Sequence, residues 1–321
     1  MIIYHYGRRA WSYIKRYPRH YAGYTIFAIG YIVIAKYSKK SNNEILRMAF
    51  AGSLAQFVTD IIAHPIDVIN TRTKAEIAHG NINSWKMIRR IAHKEGVFGF
   101  WRGASATYYG ALIAGIIYFS VYKFLKRHMI HEGEGKVHML AFLGSSLTSE
   151  ALVMVFYYPY DLIRTRMQTR MSGFEYQGPF HGIRTILNGS LRNFKKLYVG
   201  ATPSFILNLS NTSIMFTVLE SMREYYIKKS NLISVNDLPT NIYLFCSISS
   251  GVVSGALTNT LEVVTIHKQV DPSFKMTKFI KEQGLKSLTQ GLFARVMINV
   301  FHAVVLFYVV DEFAILFNVE L

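Results

Sequence analysis

A single layout recurs three times along this chain, at a period of roughly 95 residues, and a threefold repeat of that length leaves few folds open. Each copy runs through a helix dotted with small residues, an acidic motif, an amphipathic stretch, an aromatic and glycine signal, and a second apolar helix. The first reads MAFAGSLAQFVTDIIAHPIDVINTRTK, then HKEGVFGFWRG, then ATYYGALIAGIIYFSVYKFLK. The second reads SEALVMVFYYPYDLIRTRMQ, then KKLYVG, then SFILNLSNTSIMFTVLESMR, and the third SGVVSGALTNTLEVVTIHKQ, then KEQGLKSLTQG, then LFARVMINVFHAVVLFYVVDEF. The pattern predicts six long helices, centred near residues 60, 115, 153, 213, 252 and 304.

Composition supplies the solvent. With 51% hydrophobic and 17% charged residues, the 321-residue chain carries too little polar surface for a water-soluble protein of its size. The net charge of +17 argues little for nucleic acid, because the basic residues lie between apolar stretches about as long as a bilayer is thick. Cys246 is the single cysteine, so no internal disulfide can form. No P-loop, metal-spaced His/Cys cluster or nucleophile–base constellation appears, so neither enzyme nor metal site is expected.

The segments HPIDVINTR with EGVFGFWRG, and YPYDLIRTRMQ, resemble the mitochondrial carrier signature, a proline-acid-base motif followed by a short helix and an aromatic-basic-glycine turn. The resemblance implies an all-α membrane protein of the six-transmembrane-helix carrier fold, with three pseudo-symmetric repeats at 45–130, 137–230 and 238–321, multi-pass in the mitochondrial inner membrane. Basic residues crowd the first connection, including Arg72, Lys74, Lys86, Arg89, Arg90, Lys94 and Arg102, which places that side in the matrix. Residues 1–44 are an addition: the apolar block YAGYTIFAIGYIVIAKY at 21–37 reads as an extra transmembrane helix rather than a cleaved transit peptide.

In the family each gate is a ring of three charge pairs, the acid of one repeat facing the base of the next. The matrix-gate acids are Asp67, Asp161 and Glu262, while the base positions hold Asn70, Arg164 and Thr265. Only Asp67 with Arg164 is then expected as a charge pair, with Glu262 facing Asn70; the third repeat also has Thr260 in place of proline. At the opposite gate Lys126 with Asp311 is the expected pair, while Glu220 faces Ala314 and Arg223 faces Lys123. Gln168 and Gln269 match glutamines that brace the family's matrix gate, and Lys74 stands at the first such place.

The family's midplane substrate positions correspond to Gly110, Leu207 with Asn208, and Ile298 or Asn299, none of them charged. Anionic substrates need cationic partners in a low-dielectric site, so they are disfavoured. Asp60 and Glu150 fall on the inward faces of their helices, seven residues before Asp67 and eleven before Asp161, and would suit a cation or proton if they are more than hydrated cavity acids. His302 reads as a satisfied cavity histidine rather than a proton relay. Trp101, Arg102, Gly103, Tyr198, Gly200 and Gly291 lie in turns resembling those that bind cardiolipin; no other cofactor is expected. With the gates depleted, the substrate positions uncharged and an N-terminal segment added, the main expectation is a structural subunit of a larger inner-membrane assembly, such as a respiratory-chain complex, in contact with other membrane-protein subunits and no nucleic acid. The alternative is an active carrier of a small neutral or cationic metabolite.

Overall fold

The computed structural model describes residues 44–76, 83–129, 136–169, 171, 173–230 and 238–317. The expected helix at 21–37 lies outside them. Each repeat folds as a long helix, a short helix, a 3-10 turn and a second long helix. In the first repeat these are α1 (Glu44–Ala75), α2 (Ser84–Lys94), the turn Val97–Trp101 and α3 (Ala104–Met129). The second has α4 (Lys136–Thr169), α5 (Pro179–Leu187), the turn Leu191–Tyr198 and α6 (Ala201–Lys229). The third has α7 (Thr240–Val270), α8 (Met276–Gln283), the turn Leu285–Thr289 and α9 (Leu292–Phe317). The long helices fall where the periodicity places them. They close into a ring in the order α1, α3, α4, α6, α7, α9 and back to α1.

Small residues let neighbouring helices touch backbone to backbone. On α7 the buried stripe Ser247, Ser250, Gly251, Ser254, Gly255 and Thr258 faces the ring. A Cβ on Gly251 would stand 2.7 Å from the Cα of Val300, and one on Gly255 3.0 Å from the Cα of Val296. In the first repeat Gly115 of α3 meets Ser53 of α1 in the same manner, with a Cβ–Cα distance of 2.5 Å. Because these contacts leave no room for a side chain, Gly251→Leu is expected to lower stability by at least about 2 kcal/mol, read as a lower unfolding temperature in lipid nanodiscs.

Three small apolar clusters pin each short helix beneath its long one. Val68 with Met87 and Ile91 holds α2, Met154, Tyr158 and Leu162 with Ile186 hold α5, and Val263 with Phe279 holds α8. The outer face is apolar and exposed, with Phe156, Ile206, Phe245, Leu257 and Phe293 among its largest side chains. Large exposed apolar side chains together with buried polar ones, among the described residues, suit a lipid surround. By length and composition alone, Thr240–Val270 and Leu285–Val305 qualify as membrane spans. Asp161 of α4 and Lys74 of α1 are buried polar groups of the other long helices, and such charges lower the mean hydropathy of a span.

Candidate functional site: the matrix gate and the ring interior

The proline-acid motifs bring Asp67, Asp161 and Glu262 to one end of the ring, the end expected to face the matrix, where each acid accepts a hydrogen bond from the next repeat. Gln168 Nε2 donates to Asp67 at 2.7 Å, and Gln269 Nε2 donates to Asp161 at 2.8 Å. The third member of this set is a cation: Lys74 Nζ binds the Glu262 carboxylate. Lys74 is fully buried, and Asn70 adds a hydrogen bond to Glu262 at 3.1 Å.

This corrects the expectation that Asp67–Arg164 alone survives as a charge pair. Arg164 lies 3.5 Å from Asp67 and 2.6 Å from Asp161, so one guanidinium serves two acids. Glu262, expected opposite only the neutral Asn70, is held by Lys74 and also by Arg295 of α9 at 2.9 Å. Asn70 and Lys74 are four residues apart on α1, one helical turn, so the missing base has moved one turn along the same face. Arg295 lies in an apolar helix, and a charged residue there is itself a signal that motif matching passed over. An ion pair near 4 Å in a partly solvated site interacts by about 4 kcal/mol before desolvation is subtracted, so the two added pairs change how firmly this gate closes.

Three glycines seat the braces. Gly103, Gly200 and Gly291 have φ of +81°, +80° and +71°, the left-handed region that glycine adopts without a steric penalty. A Cβ at Gly103 would stand 3.1 Å from Gln168 Cγ, at Gly200 3.2 Å from Gln269 Cγ, and at Gly291 2.9 Å from Lys74 Cε. Arginines then sew the seams: Arg72 Nε donates to the Gln168 carbonyl at 2.7 Å and Arg166 Nε to the Gln269 carbonyl at 2.9 Å. His267 holds the third such place, its ring stacked on Phe274.

The interior above this gate is polar on the α6, α7 and α9 side. Asn211 Oδ1 accepts from Asn299 at 2.6 Å and from Thr258 and Arg295 at 3.4 Å each. Asn299 also donates to Ser254 at 3.1 Å, and Asn208 donates to the Met154 sulfur at 3.0 Å. Asn211 was not among the residues the sequence singled out. Of the other midplane positions, Leu207 and Ile298 are buried, and Gly110 is covered, since a Cβ there would stand 2.7 Å from the Tyr157 ring. Across the ring Asp60 accepts from Gln56 at 3.0 Å and faces His302 Nε2 at 3.2 Å. Glu150 is half-buried on α4, without a hydrogen bond or ion pair among the described residues.

At the opposite end Glu220 and Arg223 pair with each other within α6 at 2.9 Å, and Arg223 lies over the Tyr243 ring at 4.6 Å. The side chains of Lys123, Lys126 and Asp311 lie outside the described residues. In the turns expected to meet lipid, Arg102 donates to the Met167 carbonyl at 3.1 Å and lies 3.6 Å from Glu95. Trp101 stacks on His64, and Tyr198 donates to the Val155 carbonyl at 2.7 Å. A groove of about 440 Å³ runs between Asn83, Ser84 and Trp85 at the start of α2 and Thr289, Gln290, Gly291, Leu292 and Phe293 at the start of α9.

A ring of six helices in three repeats, closed at one end by three symmetric braces, defines a carrier-type fold. The family model for mitochondrial carrier proteins matches residues 41–133, 135–230 and 236–320, and the chain belongs to that family. Its membrane-spanning character follows from that membership. The human mitochondrial tricarboxylate transport protein is 27% identical over 289 residues, covering 84% of this chain and 88% of its own length. A mitochondrial glycine transporter from sheep is 21% identical over 278 residues, 84% and 89%. A chloroplastic folate transporter from Arabidopsis thaliana is 26% identical over 277 residues, 78% and 89%.

Proposed function

We propose that this chain is an active solute carrier of the mitochondrial inner membrane, moving a small neutral or cationic metabolite through the ring interior. The observation that carries the reading is the matrix gate, in which all three acids are braced from the next repeat and the Glu262 pair is restored by Lys74. The expectation of a structural subunit rested on broken gates, uncharged substrate positions and an N-terminal addition, and the contacts of Glu262 at this gate weaken the first of these grounds. The transporters named above as relatives support the same direction and supply nothing for an accessory role.

Charge selects among substrate classes. Among the described residues the interior carries the acids Asp60, Asp67, Glu150, Asp161 and Glu262 against the bases Lys74, Arg164 and Arg295, each of which is engaged with a carboxylate. Arg295 sits in the same repeat as Glu262 and stays beside it while repeats move against one another, so it offers little free charge to an anion. The Asn208, Asn211, Asn299 and Thr258 cluster supplies amide and hydroxyl groups for a small polar molecule. Phospholipid headgroups, cardiolipin among them, are assigned in this reading to the groove between Trp85 and Gly291, where helix-start N–H groups supply the partial charge that Arg102 does not.

Thermal unfolding of the purified chain tests the class. Glycine or lysine at a hundredfold excess over its dissociation constant is expected to stabilise the folded chain by about 2.7 kcal/mol, and citrate to leave it unchanged. Asn211→Leu, which removes the acceptor shared by three donors, is expected to abolish that shift. Stabilisation by citrate alone contradicts the assignment.

A further inference from the structure

The pair formed by Asp60 of α1 and His302 of α9 has a donor and acceptor count that fixes a proton. His302 Nδ1 lies 2.8 Å from the Ile298 carbonyl oxygen, which can only accept, so Nδ1 carries a hydrogen. Nε2 faces Asp60 Oδ1 at 3.2 Å, and an ionised carboxylate oxygen can also only accept. A neutral ring beside an ionised Asp60 would therefore leave two lone pairs opposed. Both contacts are satisfied only if one more proton resides in the pair, either on Nε2 as an imidazolium or on Asp60 as a carboxylic acid that donates to Nε2. The Gln56 amide, donating to the same oxygen at 3.0 Å, is compatible with either form.

The surrounding groups are already engaged. On α1, His64 contacts the Arg102 carbonyl at 3.1 Å and the Thr107 hydroxyl at 3.2 Å, and Asp67 is held by Gln168 and Arg164. On α4, Arg164 and Tyr157 lie within electrostatic reach of Asp60, but Arg164 serves Asp67 and Asp161. On α3, Tyr108 packs edge-on against Phe57 of α1. On α7, Glu262 is committed to Lys74 and to Arg295 of α9. Among the described residues His302 and Gln56 contact Asp60 directly, while Arg164 and His64 act on Asp60, and Asp67 on His302, at longer range.

The pair also bridges the first and third repeats, as the Lys74–Glu262 contact does. Asp60 lies seven residues before Asp67 on α1, about 10 Å along the helix axis. An alternating carrier must shift repeats against each other to open its matrix gate, and such a shift acts on this contact. We propose that Asp60 and His302 form a proton-binding site, loaded while the matrix gate is closed and emptied when it opens, so that a proton accompanies the transported solute. This rests on the carrier reading above. The proton itself passes between the pair and water in the ring interior, with no other bond made or broken.

The test uses the full chain with ¹⁵N-labelled histidine in lipid nanodiscs at pH 7, without any solute. Nitrogen resonances report the protonation of His302, assigned by their loss in His302→Gln, and infrared absorption reports a protonated Asp60, assigned by its loss in Asp60→Asn. One added proton in the wild-type pair is expected in one of the two forms; Asp60→Asn is expected to return an imidazolium ring to a single hydrogen, or to remove the carboxylic-acid band if Asp60 holds the proton. In the Asp67→Asn, Glu262→Gln chain, whose matrix gate no longer holds, the proton is expected to leave the pair. A wild-type pair with neutral ring and ionised Asp60, or equal occupancy in the two gate states, overturns the proposal. If His302→Gln fails to fold, the Asp60→Asn spectra assign the same signals. Because no solute is present, failure here leaves the carrier reading standing, while a chain that moves no solute in liposomes leaves this measurement unchanged.

Discussion

Replacing Lys74 by methionine is expected to lower stability by about 3 kcal/mol, because it leaves the buried Glu262 carboxylate without its charged partner from the first repeat. Asn70 and Arg295 remain, but Asn70 spans the seam between repeats one and three without a charge, and Arg295 belongs to the same repeat as Glu262. Lys74→Gln is expected to behave differently. Glutamine stands at the equivalent place in the other two repeats and donates to the acid there, so it should recover most of the lost stability. Lys74→Glu, which opposes two carboxylates across the seam, should keep the gate from closing and abolish transport. Unfolding temperatures of the three variants, ranked Gln above Met above Glu, check the account; equal values would remove Lys74 from the gate.

Arg164→Ala is expected to be nearly as costly, on the order of 3 kcal/mol, since the guanidinium lies against both Asp67 and Asp161. The two glutamine braces remain, but each carries no charge. The loss has a specific remedy: Asp161→Asn in the Arg164→Ala background removes one uncompensated charge and should return part of the stability. If Asp161→Asn lowers stability equally with and without Arg164, the two side chains are not coupled.

Much of this architecture is legible from the sequence. The small-residue helix starts, the Pro65 and Pro159 motifs and the glycines before α3, α6 and α9 recur with enough fidelity to place six helices and order them in a ring. The gate was harder to read, for a physical reason. Matching a motif position by position assumes that a charge must stand at a fixed residue, whereas a flexible lysine four residues on reaches the same carboxylate from the same helix face. The Gln168 and Gln269 braces were visible as family positions, but that Lys74 supplies the third brace with a charge emerged only from its burial and its contact with Glu262. The interior cluster centred on Asn211 is set by the approach of three helices from two repeats, and no local pattern along the chain encodes it.

In the proposed function the closed gate belongs to a working transport cycle. Uptake of labelled glycine, lysine and citrate into liposomes containing only this chain measures it directly. Saturable uptake of glycine or lysine above that of empty liposomes, little uptake of citrate, and loss of uptake in Lys74→Glu are expected. A folded wild-type chain that takes up none of the three above the empty-liposome level would contradict it.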